Sequence, residues 1–357
     1  MSYQRARSVR KNSPQDFHEA TDYPRRVLSA SRLRQDARSA GFDLVGFARA
    51  EPIDASVLGD WLAKGFHADL DWMAERVAER LDVTKLLPGA RTVVALACNY
   101  WHGDDSGPIA RYARGRDYHA TLRDRLRTLR RSLRTAFPGV ADYGSVDANP
   151  VMEKVWAVRA GLGTVGKNAC LITKDFGSWV VLATMILDAE VDAYDDQAPA
   201  DVCGRCTLCL TSCPTGALVS DRVVDAGLCL SYQTIENDGV VPEALRPAMP
   251  NLVFGCDVCQ DVCPLNATPV RAGARFQPRA VAQASVVELA AMSREQWEAW
   301  GKGMALMRAG YDGLRRNAVY ALGAMKAVEA RGVLQRLASD DAPGVCEAAT
   351  WALQQLG

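Results

Sequence analysis

The feature that most constrains this chain is a run of closely spaced cysteines in its second half. Residues 203–213 follow the spacing C-x2-C-x2-C-x3-C, and Pro214 comes directly after the last cysteine. Three thiolates spaced two residues apart can hold one iron–sulfur cube, while the fourth, carried past a turn, is directed at a second cube. The run therefore predicts two [4Fe-4S] clusters, and the other ligands of the second cluster must lie elsewhere in the chain.

A second, incomplete run supplies most of those ligands. Residues 256–263 repeat the last three cysteine positions of the first run, and Val253 stands where its first cysteine would fall. Cys229 lies between the two runs and is our candidate for the missing ligand. We assign one cluster to Cys203, Cys206, Cys209 and Cys263, and the other to Cys213, Cys229, Cys256 and Cys259.

Two other kinds of site were weighed against clusters. Structural zinc sites use paired C-x2-C units, but they give no reason for a three-residue step that ends in Cys-Pro. Disulfide frameworks belong to small secreted chains. Of the eleven cysteines, the three left over are expected to pack as small apolar residues. They are Cys98, Cys170 and Cys346.

The composition indicates a globular protein without a membrane span. The chain has 357 residues, 48% of them hydrophobic, which allows two or three domains. The longest apolar run, residues 179–187, is far shorter than the roughly 20 residues of a membrane helix. Residues 1–26 are polar and basic and are expected to be a disordered extension. Because no signal-like apolar core begins the chain, we expect a cytoplasmic protein, and we expect a monomer.

Hydrophobic periodicity predicts an α/β arrangement before the cysteines. Strands are predicted at residues 42–47, 92–98, 169–173 and 179–187. Helices are predicted at residues 27–40, around Trp61 and Trp72, from the segment at residues 109–119 to about Phe137, and at residues 152–159.

The long predicted helix has one apolar and one basic stripe. Four leucines repeat at helical spacing, and arginines, among them Arg123 and Arg127, follow one position behind. Nine arginines fall between residues 111 and 134. A solvated helix face explains this pattern, and so does a surface that grips nucleic-acid phosphates with guanidinium groups. Both interpretations stay open at this point.

Gly161, Gly163 and Gly166 form a G-x-G-x-x-G pattern. A dinucleotide-binding turn needs a strand before the glycines and a helix after them. The predicted order here is the reverse. We therefore expect close backbone packing at a turn, where a large ligand is one candidate neighbour, rather than a nicotinamide site.

The remainder of the chain is predicted to be helical. A Pro- and Arg-rich linker covers residues 269–279, and residues 317–323 resemble residues 348–353 at an offset of 31. That offset is typical of α-helical repeats and suggests a short HEAT-like solenoid. The predicted domains are residues 27–199, 200–266 for the cluster module, and 267–357 for the helical tail.

Several of these segments together resemble the epoxyqueuosine reductases, a family of cobalamin-dependent tRNA-modifying enzymes. The resemblance extends from about residue 28 to the end. The matching segments are residues 110–119, 146–147 with Pro150, 153–154, 160–168, 176–179, both cysteine runs, 229–236 and 313–318.

The resemblance implies a fold and a reaction. It implies a cobalamin-binding α/β domain of nitroreductase-like sandwich type, a ferredoxin-like module with two clusters, and a HEAT-like tail that binds tRNA. The implied reaction is reduction of epoxyqueuosine to queuosine in the tRNA anticodon loop, with electrons that pass from the clusters to cobalamin. An unidentified donor would supply the electrons.

The resemblance also implies site residues. Asp147 would be the general acid, in an apolar setting that raises its pKa, whereas the alternative is a cap for the helix that follows. Cobalamin would contact Cys98, Asp147, Thr173, Ser231, Asp257 and Val258. The expected tRNA contacts are Arg123, Arg127, Arg315 and Arg316.

Two rival classes remain. A reductive dehalogenase would share cobalamin and two clusters, but it is expected to carry an export signal and no helical tail. A non-enzymatic electron-transfer ferredoxin would need only residues 200–266.

Overall fold

A computed structural model describes residues 26–103, 107–195 and 201–357 of the protein. The predicted extension at residues 1–26 lies outside the described residues except for Arg26. The predicted domain boundary between residues 199 and 200 also lies outside them.

Among the described residues, strands and helices are mixed up to residue 224, and only helices follow it. The strands are β1 (Val27–Leu28), β2 (Leu44–Arg49), β3 (Thr92–Asn99), β4 (Asp142–Ser145), β5 (Thr164–Val165), β6 (Leu171–Ile172), β7 (Val180–Leu187), β8 (Glu190–Val191), β9 (Leu218–Ser220) and β10 (Val223–Val224). The helices are α1 (Ala30–Ser39), α2 (Ser56–Ala63), α3 (Val77–Leu81), α4 (Tyr118–Ala136), α5 (Glu153–Arg159), α6 (Leu208–Ser212), α7 (Leu230–Ile235), α8 (Val258–Asp261), α9 (Val286–Ala291), α10 (Arg294–Gly301), α11 (Gly310–Ala324), α12 (Arg331–Leu337) and α13 (Pro343–Gln355).

The first part of the chain is built on a four-stranded antiparallel sheet in the order β2-β3-β7-β4. Every residue of β3 is buried, as its continuous apolar sequence predicts for a central strand covered on both faces. Its alternate residues enter two different cores. Leu96 packs with α1 and α4 on one face, and Ala95 packs with Trp156 of α5 on the other. Helices therefore cover both faces of this sheet, as the predicted α/β arrangement requires.

Several predicted element boundaries were wrong for identifiable reasons. The first helix begins at Ala30 rather than residue 27, because the Ser29 hydroxyl caps it and β1 pairs with β8. Trp72 lies in a single 3-10 turn. The long helix begins at Tyr118, where the Asp117 carboxylate caps it by accepting from the His119 backbone. The four leucines of its apolar stripe are all buried.

The G-x-G-x-x-G segment is a packed turn, as predicted. It follows α5 and precedes β6, which is the reverse of a dinucleotide-binding turn. A Cβ added at Gly163 would lie 2.2 Å from the Ile172 carbonyl oxygen, so only glycine fits against β6. The next two predicted strands do not pair with each other, because β6 pairs with β5 whereas β7 joins the large sheet.

The helical tail is fixed to the cysteine module by buried polar groups. The Asn317 amide on α11 donates to the Thr234 carbonyl at 2.8 Å and to the Val253 carbonyl at 3.0 Å. Arg316 donates to the Asn237 carbonyl at 2.9 Å. These bonds satisfy backbone groups that burial would otherwise leave unpaired, so they fix the position of α11 against the module.

The two similar segments of the tail lie on neighbouring helices. α11 packs along α13, and a Cβ added at Gly323 would come within 2.5 Å of the Trp351 ring. The resemblance between residues 317–323 and 348–353 therefore marks two helices in direct contact. Within the three described ranges, no helix is both long and apolar enough to cross a bilayer.

Candidate active site and cluster-binding site

The four thiols assigned to the first cluster surround one cavity. The cavity measures about 110 Å³, several times the space that one water molecule requires. Its other lining residues include Lys167, Asn168, Ile172 and Leu265. The cysteines that line it are Cys203, Cys206, Cys209 and Cys263. The structure thus brings Cys263 of the second run to the three cysteines of the first run, as the spacing predicted.

The thiols assigned to the second cluster also lie close to one another. Burial raises the pKa of Cys256 to about 12, and the neighbouring Cys229 and Cys213 contribute to the same rise. Burial likewise raises the pKa of Cys229, which is next to Cys213. Cys259 is near both Cys256 and Cys229. Mutual repulsion of this kind is relieved when a metal cluster binds the thiolates.

The glycine-rich turn contacts both cysteine sets. The Lys167 backbone N–H donates to Cys203 Sγ at 3.5 Å, and the Asn168 amide donates to the Cys259 carbonyl at 3.2 Å. The Cys170 thiol interacts with the Cys259 thiol, which lowers the pKa of Cys170 and raises that of Cys259. Cys170 was expected to pack as an apolar residue, but the structure places it against the second cysteine set.

Asp147 lies on a strained turn between β4 and α5. Its backbone has φ of 54°, in the left-handed region that non-glycine residues rarely adopt. Its carboxylate accepts hydrogen bonds from the Tyr118 hydroxyl and, at 3.2 Å, from His119 Nε2. Strain of this kind persists where the surrounding contacts enforce it, and it is frequent at functional sites.

Two expectations about Asp147 are wrong. Partial burial alone would raise its pKa, but hydrogen bonds from His119 and Tyr118 outweigh burial and lower the pKa. The side chain is 54% exposed, so the flanking residues enclose only part of it. The alternative role as a helix cap also fails, because α5 begins at Glu153 and no side chain caps it.

Glu153 holds the turn from the opposite side. One carboxylate oxygen accepts from the Asp147 backbone N–H and from the Ser145 hydroxyl, both at 3.1 Å. Burial raises the pKa of Glu153 to about 7. The conformation of Asp147 therefore depends on a second, buried carboxyl group.

His119 connects Asp147 to a further carboxylate. Its Nδ1 lies 2.9 Å from Asp117 Oδ1, and its ring stacks on Tyr118 with 4.0 Å between centroids. Burial alone would lower the pKa of His119, but hydrogen bonds to Asp117 and Asp147 raise it to about 9. At neutral pH the imidazole is therefore protonated and lies between two carboxylates.

Three of the predicted cobalamin contacts lie beside the second cysteine set in the sequence, and Thr173 lies apart from it. Ser231, Asp257 and Val258 each lie within two residues of a thiol assigned to the second cluster. Asp257 is buried and pairs with Arg111 at 3.1 Å. Thr173 is buried, and its hydroxyl donates to the Gly177 carbonyl at 3.0 Å.

Cys98 does not join the other predicted contacts. Its side chain lies in the core between the sheet and helices α1 and α4, where Arg125 Nη1 is 2.6 Å from Sγ. Burial raises its pKa to about 12. Its expected contact with cobalamin is wrong because the thiol is enclosed by the core, which agrees with the packing role also expected of it.

An aromatic group joins the Asp147 turn to the second cysteine set. Tyr112 lies 5.8 Å from Tyr118 and 6.5 Å from Tyr100, measured between ring centroids. Burial raises the pKa of Tyr112, and the charges of Asp257 and Asp147 both add to that rise. Tyr118 donates to Asp147, and the backbone N–H of Arg111, the residue before Tyr112, donates to Asp257 at 2.8 Å, so both carboxylates contact neighbours of Tyr112 although 110 residues separate them in the sequence.

The predicted tRNA contacts divide into exposed and buried arginines. Arg123 and Arg127 are exposed on α4, and Arg127 pairs with Asp124. The other two are wrong as surface contacts. Arg315 is only 8% exposed and pairs with Asp340, and Arg316 is buried by its bonds to the module. Both guanidinium groups act within the chain.

Sequence reasoning gave no role to several residues around Asp147. His119, Tyr118 and Glu153 lay inside segments that carried the resemblance, but nothing in their spacing indicated a shared hydrogen-bond network. The available signal was Asp117, two residues before His119, together with three ionisable residues in consecutive positions at a helix start.

Comparison with known proteins first defines the class. Residues 202–266 match the family model described as a 4Fe-4S double cluster binding domain. The cysteine module and its cavity thus belong to an iron–sulfur protein, and the zinc and disulfide alternatives are not needed.

The particular family follows from longer matches. Residues 80–148 match the model of epoxyqueuosine reductase QueG. The epoxyqueuosine reductase of Gloeobacter violaceus is 42% identical over 83% of this chain and 96% of that protein. The Escherichia coli enzyme of that name is 35% identical over 82% of this chain and 80% of that protein. The chain belongs to the epoxyqueuosine reductase family and is an oxidoreductase, so the non-enzymatic ferredoxin alternative is wrong.

Solved structures of the family share the fold. A crystal structure of epoxyqueuosine reductase with an epoxyqueuosine-modified tRNA-Tyr stem loop matches with a TM-score of 0.84 and 30% identity, covering 92% of this chain and 90% of that chain. A Bacillus subtilis structure, whose catalytic aspartate loop is swung out of the active site, matches with a TM-score of 0.83 and 30% identity over the same shares.

Proposed function

We propose that this enzyme reduces epoxyqueuosine to queuosine in the anticodon loop of tRNA. Two [4Fe-4S] clusters would supply electrons, cobalamin would act on the epoxide, and Asp147 would deliver a proton. The observation that carries the proposal is that Tyr112 packs on Tyr118, which donates to Asp147, while the backbone N–H of the adjacent Arg111 donates to Asp257. That arrangement joins the proposed proton donor to the cysteine module.

The cluster part of the proposal rests on the donor sets. Four thiols around one cavity provide the ligand number of a [4Fe-4S] cluster, and the cavity has room for inorganic sulfur and iron. The second set lacks a complete local run, and Cys229 supplies the fourth thiol near Cys213 and Cys256. Neighbouring backbone N–H groups, such as that of Lys167, adjust cluster potentials by donating to sulfur.

The cobalamin part rests on where its proposed contacts lie. Ser231, Asp257 and Val258 border the second cysteine set, so a group held there would be next to the second cluster. Asp147, with its half-exposed carboxylate, is connected to Asp257 through Tyr118, Tyr112 and the neighbouring Arg111. Cobalamin, when bound, supplies low-potential electrons for opening the epoxide. Thr173 is a further proposed contact. Its hydroxyl hydrogen already bonds to the Gly177 carbonyl, so other atoms of this segment would contact cobalamin.

The proton part must account for the lowered pKa of Asp147. An ionised carboxylate cannot donate a proton until it is recharged or its surroundings change. A nucleoside that covers the exposed half of the side chain would remove water from the carboxylate and raise its pKa. The strained turn, held by Glu153 and Tyr118, keeps the carboxylate directed at that position without a large rearrangement.

The RNA part rests on charge and on similarity. The family structure at 30% identity holds a modified tRNA stem loop. On this chain, exposed Arg123 has no ion-pair partner within the described residues, and Arg127 shares Asp124 with Arg116. We propose this face of α4, together with the HEAT-like helical tail, as the surface that binds the stem loop.

The test is to purify the protein without oxygen, measure iron and cobalt, and assay turnover. The substrate is a stem-loop RNA that carries epoxyqueuosine, with a chemically reduced electron donor. We expect about eight irons per chain, bound cobalt after reconstitution with cobalamin, and conversion to queuosine that requires both metals. Conversion without cobalamin, or a protein that binds no cobalamin, would refute the cofactor part of the proposal.

A further inference from the structure

Removal of an epoxide oxygen consumes two protons, whereas one carboxyl group carries one. Reduction of an epoxide to a carbon–carbon double bond takes two electrons and two protons, and both protons leave on the same oxygen as water. If Asp147 is the proton donor, a source close to it must supply a second proton during each turnover.

The hydrogen-bond network around Asp147 contains such a source. His119 Nε2 is 3.2 Å from Asp147 Oδ2, and Asp117 holds the other ring nitrogen at 2.9 Å. The stacked Tyr118 ring fixes the plane of the imidazole. The His119 side chain is 28% exposed, so solvent reaches it for reprotonation.

We propose that His119, held by Asp117, is the residue that recharges Asp147 with protons during reduction of the epoxide. This inference rests on the proposed role of Asp147 and adds the origin of both protons. His119 acts through Asp147, so it is a positioning and proton-supplying residue rather than one that touches the substrate.

Two proton transfers along this path accompany the two-electron reduction. The first proton moves from His119 Nε2 to Asp147 Oδ2, and Asp147 transfers a proton to the oxygen of the opened epoxide, where an O–H bond forms. His119 keeps the Nδ1 proton that faces Asp117. Solvent then returns a proton to Nε2. The second proton follows the same path as the remaining C–O bond breaks, and the oxygen leaves as water. The two electrons come from the reduced iron–sulfur donor of the reductase.

The charged surroundings support a protonated imidazole in the resting enzyme. Hydrogen bonds to both carboxylates raise the pKa of His119 to about 9 although burial opposes this. Other titratable groups near the network also act on these carboxylates. They are Tyr112, Tyr118, Arg123, Glu153, Lys154 and Arg308. Glu153 is the main competitor as proton source because its pKa is raised to about 7.

The first experiment measures single-turnover rates against pH on the enzyme loaded with its cofactors. The wild-type rate should fall as pH rises through about 9, where His119 loses its proton. His119→Gln keeps a hydrogen-bond donor but has no titratable proton. Its rate at pH near 7.5 should be lower by about a hundredfold, within the range for acid–base groups, and the inflection near pH 9 should be absent.

A second variant and a direct readout separate this role from folding. Asp117→Asn keeps His119 but removes one carboxylate, so the alkaline inflection should move toward the ordinary pKa of histidine. Histidine-selective NMR measures the same pKa without turnover, because the chain has four histidines and the spectrum of His119→Gln assigns the signal. A His119 pKa below about 7 in the wild type would overturn the inference.

Three further outcomes show which part of the proposal fails. If Asp147→Asn is inactive but His119→Gln keeps the wild-type pH profile, the proton inference is wrong while the role of Asp147 stands. A decline centred near pH 7 that Glu153→Gln abolishes would assign the second proton to Glu153 and also overturn it. If Asp147→Asn turns over normally, the proposed function itself fails at that residue.

Discussion

The first cysteine set and the Asp147 turn are built from the chain in different ways. Three of the four thiols around the cavity come from one stretch of seven residues, and a single distant residue, Cys263, completes the set. The Asp147 network draws its members from the start of α4, the turn after β4 and the start of α5.

The difference shows what kinds of site local spacing can encode. A metal cluster needs a fixed number of identical ligands, so the spacing of cysteines nearly determines the site. A proton-transfer network needs unlike groups at hydrogen-bond distance, and tertiary packing alone brings these together. Substitutions at the two sites should therefore fail in different ways, which the following experiments examine.

The largest effect is expected at Asp147. Asp147→Asn keeps the size of the side chain but has no carboxyl proton to give. We expect turnover of epoxyqueuosine RNA to fall by at least about a hundredfold, while iron and cobalt contents stay at wild-type values. Metal analysis and single-turnover assays on the same preparation provide the measurement. Near-normal turnover would show that Asp147 is not the proton donor.

A smaller but distinct effect is expected at Cys229. If it completes the second cluster, Cys229→Ala should lower the iron content from about eight toward about four per chain and leave the first cluster in place. Cys346→Ala is the matched control, because Cys346 lies on α13 and donates to the Ala338 carbonyl, away from both sets. Full iron content in Cys229→Ala would show that another group supplies this ligand.

The docking of the tail provides a stability measurement. Asn317→Ala removes the donor to two buried carbonyl groups, which should lower the free energy of unfolding by about 2 kcal/mol or more. Gln354→Ala, exposed on α13 of the same tail, should change it by less than about 0.5 kcal/mol. Urea unfolding of the cluster-loaded protein measures both. Equal effects would show that these bonds do not hold the tail to the module.

The smallest effect is expected on RNA affinity. Arg123→Glu with Arg127→Glu should weaken binding of the stem loop and make it less dependent on salt. For duplex nucleic acid, each lost phosphate contact reduces by about 0.9 the slope of the logarithm of the binding constant against the logarithm of the salt concentration. Lys85→Glu with Arg91→Glu is the control, because it changes the net charge by the same amount at two exposed residues that precede β3. Fluorescence titrations at several salt concentrations measure the affinity of each variant for the stem loop. Unchanged affinity in the α4 variant would show that this face of α4 is only solvated.

The sequence predicted those parts of the molecule that depend on local pattern. The buried strand at residues 92–98 and the leucine stripe of α4 follow from spacing and are confirmed. The spacing also indicated the four cysteines that line the cavity, and their role as ligands of one cluster stays a prediction. The predicted rise in the pKa of Asp147 was wrong, because hydrogen bonds from His119 and Tyr118 lower that pKa. Arg315 and Arg316 were also wrong, because charge in a sequence does not show which arginines are buried.

The pairing of β6 illustrates the same limit within the fold. Residues 169–173 and 179–187 are both strand-like and are separated by a turn, which favours a hairpin. The tight approach of Gly163 to Ile172 instead places β6 beside β5. A glycine pattern shows that some backbone comes close, but the partner is decided by packing elsewhere.

The turn that carries Lys167 and Asn168 has a consequence for handling this protein in pieces. These residues, with Ile172, form part of the wall of the first cavity, although all three precede the cysteine module in the chain. A fragment excised near residue 200 would keep all eight assigned cysteines and lose that wall. Its first cluster would then meet dissolved oxygen on an unprotected side, so the fragment should bleach in air faster than the intact chain does.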